Sequence, residues 1–524
     1  MSDGSTSSTR VLRPYQTEAV ERIVERGNLL LALVMGAGKT ATAISAVRRL
    51  RRLRQVDRGV VFAPKSVKLQ WAREISKWDP RASVQVIDGS KAQRSYGLRH
   101  AEEFHYNVIH YQMLVNDWEE IKRYLPIDFI IADEATALKG MGTKTSKRAK
   151  VMAKHTDVRL ALSGQPVENR PEELFSIMQF VDPEVLGNFG KFDRAFIKRD
   201  HWGNPRSYVN LPVLARRMET AMYRKSREDI KEWLPERIEI EVPVPLDPDV
   251  MKLHDHIRAD LSDAIDGALS MGMGGGSFDI LQHYGAAPRD ERMGAMGQVM
   301  SRLLAMRMLS AHPHLLRLSA EEFDTQLSRR GSEYASALLA AGLLDGFGAD
   351  TTKLSALIEM VEEILDEDPR HKVVIFSYFK PMLAMIGRRI KAGHALITGD
   401  VTGMARDRAI VRFNTDPTCR VFLSSDAGAY GVDLNQGSHV INYDLPWSGG
   451  ALAQRIARID RTNSAFDQIQ VMYLYGQGTI EARMFRMLSQ KAKVARAFLD
   501  GEFDAKSGGL KLDLESLREF LDSP

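Results

Sequence analysis

Two short polar segments in the first third of the chain have the residue types that bind and cleave phosphate esters. The first, Gly36–Thr40 (Gly-Ala-Gly-Lys-Thr), follows the apolar run Leu29–Met35 and precedes a helical pattern. Glycines such as Gly38 at a helix N-terminus let backbone N–H groups surround phosphate oxygens. Lys39 is predicted to add positive charge at the β- and γ-phosphates, and Thr40 to place its hydroxyl on Mg²⁺.

An acidic pair, Asp133-Glu134, forms the second segment and follows the apolar run Phe129–Ala132. The carboxyl end of a parallel strand is where such residues meet a ligand. Asp133 is predicted to hold Mg²⁺, directly or through water, and Glu134 to polarise the attacking water. A chance glycine-rich turn is the alternative for the first segment, because Leu33 stands where the full phosphate-loop pattern begins with glycine. The acidic pair makes that alternative less favourable.

The elements that must position these segments form two series of short apolar runs. The first series comprises Leu29–Met35, Val60–Ala63, Val84–Ile87, Val108–Tyr111, Phe129–Ala132 and Leu160–Leu162. The second comprises Val373–Phe376, Ala395–Ile397, Val421–Leu423, Val440–Tyr443 and Val471–Tyr475. Continuous apolar runs at this spacing are typical of parallel strands buried on both faces and connected by helices. We therefore predict an α/β fold with two parallel-sheet lobes.

The stretch between the two series, from about Pro183 to Asp350, is mostly helix-like. Within it, Ile238–Val244 alternates apolar and charged residues and predicts one strand, while the glycines at 272–276 predict a mobile loop. The predicted divisions are a flexible tail (1–10), an ATP-binding lobe (11–182), a helical insertion with the end of that lobe (183–240), a helical insertion of the second lobe with the mobile loop (241–350), the second lobe (351–485) and a C-terminal helical extension (486–524).

Composition removes several classes of protein. The 524 residues are 44% hydrophobic and 27% charged, and 72 Lys+Arg against 68 Asp+Glu give a net charge of +4. Disorder is excluded, and any nucleic-acid surface must arise from local charge. The single cysteine, Cys419, excludes a disulfide framework and a multi-thiolate zinc site. With no apolar stretch of about 20 residues and no secretory signal, we expect a cytoplasmic protein that does not contact a membrane.

From Leu12 to about Arg483 the motifs resemble, in order, the Swi/Snf-type DNA translocases of the superfamily-two helicase-like ATPases. The resemblance implies two RecA-like lobes, ATP as the nucleotide, and adenine reading by Gln16 in Leu12–Gln16. Asp133–Thr136 fits the acidic-box position, with Thr136 in place of the usual His or Asp. In the second lobe, Gln454 is implied to contact the nucleotide.

The resemblance also implies roles in hydrolysis and coupling. Arg458 and Arg461 correspond to arginine fingers that reach the γ-phosphate, and their three-residue spacing places both on one helix face. Gly164, Gln165 and Gly431 are implied to couple hydrolysis to movement. The implied nucleic-acid contacts are Lys65, Ser66, Trp71, Lys139, Ser377 and Ser425.

Three short landmarks resemble the helical insertions of the Swi/Snf branch: Arg224-Lys225-Ser226, Leu234-Pro235 and His312-Pro313. Other positions depart from the family pattern. Asp426 stands where Lys is common, and Asp433 where Asn is common. These departures leave the hydrolytic residues intact.

The sequence thus predicts a minimal, monomeric motor that uses ATP and Mg²⁺ to move along double-stranded DNA, gripping the backbone without reading sequence. One alternative is a strand-separating or branch-migrating DNA or RNA helicase of the same superfamily. Another is a non-hydrolysing DNA-binding module that retains the fold. The arginine run in 48–54 is either a solvated helix face or a further contact to the DNA backbone.

Overall fold

The computed structural model describes residues 11–166, 171–199, 203, 205–271, 294–325, 331–401, 403–429, 431–500, 517–518 and 520–521. These described residues form two compact units, one within the ranges 1–198, 207–234 and 495–506, and the other within 199–206, 235–494 and 507–524. The predicted tail at 1–10 and the glycine cluster at 272–276 lie outside the described residues.

The first unit is built on a seven-stranded parallel sheet in the order β3-β4-β2-β5-β6-β1-β9. Its strands are β1 Asn28–Leu33, β2 Gly59–Ala63, β3 Val84–Val86, β4 Tyr106–His110, β5 Phe129–Ala132, β6 Val158–Leu162 and β9 Met222–Lys225. Between β6 and β9 in the chain, β7 Ile197–Arg199 and β8 Pro205–Tyr208 form a separate two-stranded sheet. Because β5, β6 and β1 are neighbours and parallel, the segments that follow them leave the sheet side by side. This order places the acidic pair and the phosphate loop on either side of the segment that follows β6.

Helices surround this sheet because its central strands are apolar on both faces; every residue of β2 and β5 is buried. The α-helices are Pro14–Arg26, Lys39–Arg52, Lys68–Trp78, Lys91–Arg99, Met113–Asn116, Trp118–Tyr124, Lys144–Ala153, Pro171–Val181, Pro183–Leu186, Phe189–Phe196 and Leu211–Glu219. Short 3₁₀ segments cover Ala101–Glu103, Ala135–Leu138 and Glu228–Trp233.

The second unit contains a six-stranded parallel sheet in the order β10-β15-β14-β11-β13-β12. The strands are β10 Glu236–Val244, β11 Val373–Phe376, β12 Gly393–Ile397, β13 Cys419–Ser424, β14 His439–Asn442 and β15 Gln468–Gly476. The helices are Pro248–Ser270, Ala295–Ala311, Pro313–Asp324, Glu333–Ala340, Thr352–Glu367, Lys380–Arg389, Gly403–Thr415, Asp426–Ala429, Gly449–Ile456 and Ile480–Asp500. Among the described residues, none of the helices combines the length and apolar character needed to cross a bilayer.

Each of the eleven predicted apolar runs overlaps a strand, and the two large sheets are parallel, so the predicted fold class is confirmed. The assignment of Arg224-Lys225 to a helical insertion was wrong. These residues lie in β9, where they pair with β1 at the edge of the first sheet. The strand predicted at Ile238–Val244 is β10, which crosses the predicted division at residue 240. We therefore propose that the division falls after Leu234 and retain the remaining divisions as proposals.

Candidate nucleotide-binding site

The phosphate loop connects β1 to the fourteen-residue helix Lys39–Arg52. Gly36 and Gly38 have φ angles of +83° and +78°, in the left-handed region that glycine adopts without strain. The loop therefore ends at the N-terminus of a long helix, where unpaired N–H groups and the helix dipole attract anions. The ammonium of Lys39 donates to the carbonyl of Leu33 at 3.2 Å, which holds the side chain over the loop.

Two side chains of the helix Pro14–Arg26 also hold the phosphate loop. The hydroxyl of Tyr15 and the amide Nε2 of Gln16 each donate to the carbonyl of Ala37 at 3.0 Å. A Cβ atom on Gly38 would lie 2.3 Å from Gln16 Nε2 and would displace this amide, and the φ of +78° itself favours glycine. Gln16 Oε1 in turn accepts the backbone N–H of Arg13 at 2.9 Å. The structure thus uses Gln16 to position the loop, and adenine reading by Gln16 stays a prediction.

The acidic pair lies at the carboxyl end of β5, where hydrogen bonds from several elements hold it. The indole N–H of Trp71 donates to Asp133 Oδ2 at 2.8 Å, and the backbone N–H of Glu134 donates to Asp133 Oδ1 at 3.0 Å. The hydroxyl of Tyr111 donates to the carbonyl of Asp133 at 2.6 Å. Glu134 has a φ of +47°, a rare conformation for a non-glycine residue that marks a constrained turn.

The electrostatics of the pair favour a cation. Burial of the Asp133 carboxyl, followed by the negative charge of Glu134, raises its pKa from 3.8 to about 6, against the opposing effects of Trp71 and Lys39. Negative charge at this position is therefore only partly compensated by the protein. Carboxylate and hydroxyl oxygens are ligands that Mg²⁺ prefers, and Thr40 adjoins Lys39 in the first turn of the helix. The residues present fit a magnesium ion.

The predicted coupling segment after β6 also reaches this site. A Cβ atom on Gly164 would lie 2.5 Å from Met35 Cγ and 3.4 Å from Lys39 Nζ, so the backbone at Gly164 adjoins the phosphate loop. The backbone N–H of Gln165 donates to Ser163 Oγ, and Gln165 Oε1 is buried without a hydrogen-bond partner among the described residues.

The predicted nucleic-acid contacts of the first unit differ in exposure. Lys65 and Ser66 are exposed in the turn before the helix Lys68–Trp78, and Lys139 forms an ion pair with Glu173 at 3.9 Å; their predicted contacts stay predictions. Trp71 requires a correction. It is 2% exposed and bonds to Asp133, so its ring is not available to a nucleic acid. Trp71 is buried because the apolar body of its indole packs in the core.

In the second unit the two predicted finger arginines share one acceptor. Arg458 Nη1 and Arg461 Nη2 donate to the carbonyl of Val432, at 3.2 and 2.9 Å. Arg461 Nε also lies 3.4 Å from Asp433 Oδ1. Gly431, with a φ of +69°, begins this loop. Gln454 contributes its backbone carbonyl to Arg458 Nε at 2.8 Å, and the nucleotide contact of its side chain stays a prediction.

Ser377 and Ser425 also require correction as nucleic-acid contacts, because both are buried. Ser377 donates to the carboxylate of Asp444, and Ser425 Oγ accepts the backbone N–H of Gly428. Each hydroxyl follows a strand of the second sheet and is used inside the unit. A seryl hydroxyl at the end of a buried strand is satisfied internally as readily as by a ligand.

Sequence reasoning assigned no role to Arg455. Arg455 is 1% exposed; its Nε lies 2.5 Å from Asp426 Oδ1, and its Nη2 lies 3.4 Å from Asp444 Oδ1. These carboxylates raise the pKa of Arg455 against the opposing effect of burial. The unusual aspartate at 426 was the available signal, because an acid that replaces a base requires a basic partner when buried.

A phosphate loop, an acidic pair and a coupling segment on adjacent parallel strands, with a second parallel-sheet unit, define the helicase-like class of nucleoside triphosphatases. The SNF2-related domain matches residues 15–284, and the helicase conserved C-terminal domain matches residues 352–463. Because the first match covers just over half of the chain, the chain belongs to the SNF2-related family. The predicted membership is confirmed.

Individual relatives are distant. A DNA repair and recombination protein RAD54-like of Drosophila pseudoobscura pseudoobscura is 24% identical over 98% of this chain and 66% of its own length. A SWI/SNF-related regulator of chromatin containing a DEAD/H box, from Xenopus tropicalis, is 24% identical over 98% of this chain and 53% of its own. The chain thus spans less than two thirds of these curated relatives. A structure described as the Sulfolobus solfataricus SWI2/SNF2 ATPase core in complex with dsDNA is 24% identical, covers 94% of each chain and has a TM-score of 0.42.

Proposed function

We propose that this protein is a DNA-dependent ATPase that moves along double-stranded DNA and remodels the DNA or the proteins bound to it. One observation carries the ATPase part: Lys39, Asp133 and Gly164 converge at the ends of β1, β5 and β6. Family membership supports the DNA-dependent part. We further propose that the protein works as an intracellular monomer, and that its contacts follow the DNA backbone.

The first unit binds ATP through its phosphate loop. Backbone N–H groups at the start of the helix Lys39–Arg52 bind the phosphate oxygens, and Lys39 exchanges the Leu33 carbonyl for the β- and γ-phosphates. This exchange costs little, because the replaced acceptor is a neutral carbonyl and the incoming oxygens are charged. The hydrogen bonds from Tyr15 and Gln16 to the Ala37 carbonyl hold the loop conformation while the nucleotide binds.

Magnesium, when bound by Asp133 and Thr40, offsets the negative charge of the phosphates and lowers the cost of burying Asp133. Glu134 orients the attacking water and accepts its proton at a carboxylate oxygen. The constrained backbone at Glu134 limits the positions that this carboxylate reaches. Gly164 adjoins Lys39, so a change in phosphate occupancy reaches the coupling segment directly.

Arg458 and Arg461 supply further positive charge to the transferring phosphate during turnover. Both now donate to the Val432 carbonyl, so this role requires them to exchange that acceptor. A guanidinium is suited to the step because it presents several donors and keeps its charge. Gln454 is proposed to contact the nucleotide from the same helix. Lys65, Ser66 and Lys139 remain our proposed DNA contacts in the first unit.

The experiment that tests this function separates movement from strand separation. A duplex carrying a short third strand loses that strand when a motor passes along the duplex, whereas a forked duplex reports unwinding. We expect ATP-dependent displacement of the third strand without unwinding of the fork. Unwinding of the fork without displacement of the third strand would instead establish the helicase alternative, and ATP-independent DNA binding alone would establish the binding-module alternative.

A further inference from the structure

A buried tryptophan holds the carboxylate that we assign to the metal. Trp71 is 2% exposed, and its indole N–H donates to Asp133 Oδ2 at 2.8 Å. We propose that Trp71 is a positioning residue that orients Asp133 toward Mg²⁺ and so sets the metal dependence of nucleotide binding. This inference rests on the proposed function of the site.

The helix that carries Trp71 is anchored at both ends. At its start, Lys68 is 2% exposed and its ammonium lies 2.5 Å from Asp88 Oδ2. Directly after its end, Asp79 lies 2.7 Å from Arg51 Nη1 and accepts a hydrogen bond from Tyr106 at 3.3 Å. Two ion pairs in partly buried surroundings resist sliding or rotation of the helix. The indole is therefore presented to Asp133 from a fixed support.

The carboxylate of Asp133 is held by donors from two directions. Trp71 binds Oδ2 from a separate helix, while the backbone N–H of Glu134 binds Oδ1 from the adjoining residue. Among the described residues, Trp71 is the donor to this carboxylate that comes from a different element. A carboxylate that is oriented before the metal arrives loses less conformational entropy on binding, and donors to a metal ligand typically change metal affinity about 10–100-fold.

A purely structural role is the competing explanation, since a buried indole N–H needs an acceptor and Asp133 could merely serve the tryptophan. The packing part of Trp71 is evident: it belongs to the same apolar cluster as Ala63 and Ile131 of the neighbouring strands. The two explanations differ in one respect. Only the positioning role predicts that the effect of Mg²⁺ on nucleotide binding depends on the indole N–H itself, separately from the volume of the ring.

The test measures the dissociation constant of a non-hydrolysable ATP analogue with Mg²⁺ and with excess EDTA, and takes the ratio of the two. Trp71→Phe removes the N–H and part of the ring. Site-specific replacement of Trp71 by 3-benzothienylalanine removes only the N–H, because sulfur replaces nitrogen in a ring of nearly the same shape. Trp78→Phe, at the last position of the same helix, is the matched control.

We expect both changes at Trp71 to reduce the tightening by Mg²⁺ by about 10-fold while the affinity measured in EDTA stays close to that of the unaltered protein. Trp78→Phe is expected to keep the full ratio. If Trp71→Phe fails to fold, the benzothienylalanine protein carries the test. An unchanged ratio in the benzothienylalanine protein would overturn the positioning role. Absence of any Mg²⁺ effect in the unaltered protein would instead overturn the proposed site itself.

Discussion

The two units of this protein hold their proposed phosphate-binding groups differently. In the first unit, Lys39 and Asp133 lie close enough for their charges to interact, and their side chains are fixed by neighbouring groups. In the second unit, Arg458 and Arg461 donate to the backbone at Val432. The first unit therefore presents an assembled site, whereas the proposed role of the second unit's arginines requires them to release an internal acceptor.

Buried charge shows the same difference. Asp133 has only partial compensation, and the pKa of this carboxyl is raised to about 6 by burial and by Glu134. Arg455 of the second unit is compensated by Asp426 and Asp444. Uncompensated charge is costly and is retained where a ligand completes the balance. This difference supports the proposed ligand binding by Asp133 and is consistent with a stabilising role for Arg455.

The largest expected effect comes from the assembled site. Glu134→Gln removes the proton acceptor, and we expect turnover to fall by about 10⁴-fold while ATP affinity changes little. Steady-state hydrolysis and nucleotide binding measure the two quantities. Glu102→Gln, an exposed carboxylate of the same unit, is the control and is expected to keep normal turnover. Normal turnover in Glu134→Gln would show that another group activates the water.

The second-unit arginines are expected to have the next largest effect. Arg458→Ala and Arg461→Ala each lose positive charge needed only during phosphoryl transfer, so turnover should fall by about 10³-fold with little change in ATP affinity. Single-turnover hydrolysis at saturating ATP separates the two. Arg412→Ala, at an exposed position, is the control. A loss of affinity that equals the loss of turnover would mean that the arginines already contact the nucleotide in the ground state.

A smaller effect is expected when a side chain is introduced at Gly38, where the phosphate loop closely approaches Gln16. Gly38→Ala places a Cβ atom 2.3 Å from Gln16 Nε2 at a φ of +78°, and such strain costs about 1–3 kcal/mol. We expect weaker ATP binding, measured by calorimetry. Gly142→Ala, where nothing lies within 4 Å, should bind normally. Unchanged binding in Gly38→Ala would show that the loop tolerates displacement of Gln16.

The smallest expected effect concerns stability and pH. Because the pKa of Asp133 is raised in the folded protein, its charge destabilises the fold above about pH 6, and this cost disappears as the pH falls toward the unfolded value near 4. Asp133→Asn should therefore raise the free energy of unfolding at pH 8 by about 1–3 kcal/mol, and by less at pH 5. Denaturant unfolding without nucleotide at both pH values measures this.

Asp88 is the opposite case to Asp133, because its pKa is lowered in the folded protein. Lys68 contributes to holding the pKa of this carboxyl below its usual value, so Asp88→Asn should lower stability at pH 8. A loss of stability in Asp133→Asn at pH 8 would contradict the assignment of uncompensated charge to the nucleotide site.

Sequence alone located the strands well, because strands buried on both faces are continuous apolar runs. It also identified the phosphate loop and the acidic pair, since each depends on neighbouring residues. It did not place β9 or assign β10 to a sheet: β9 is a short edge strand that includes Arg224 and Lys225, and β10 pairs with β15, more than 200 residues away.

The contacts that sequence missed join residues far apart in the chain. Trp71 and Asp133 are 62 residues apart, and Arg455 and Asp426 are 29 apart. No local pattern indicates such pairs. Trp71 and Ser377 lie in family motifs, but their burial is decided by the packing of whole elements, so exposure could not be predicted from residue type.

The most direct test of the central claim compares ATP hydrolysis without nucleic acid and with duplex DNA, single-stranded DNA and RNA at equal nucleotide concentration. A motor that tracks along duplex DNA should hydrolyse ATP about 10²-fold faster with the duplex than alone, the lower end of the range for a positioned catalytic group. It should respond less to the other two. Strong stimulation by single strands or RNA, with little by the duplex, would contradict the account.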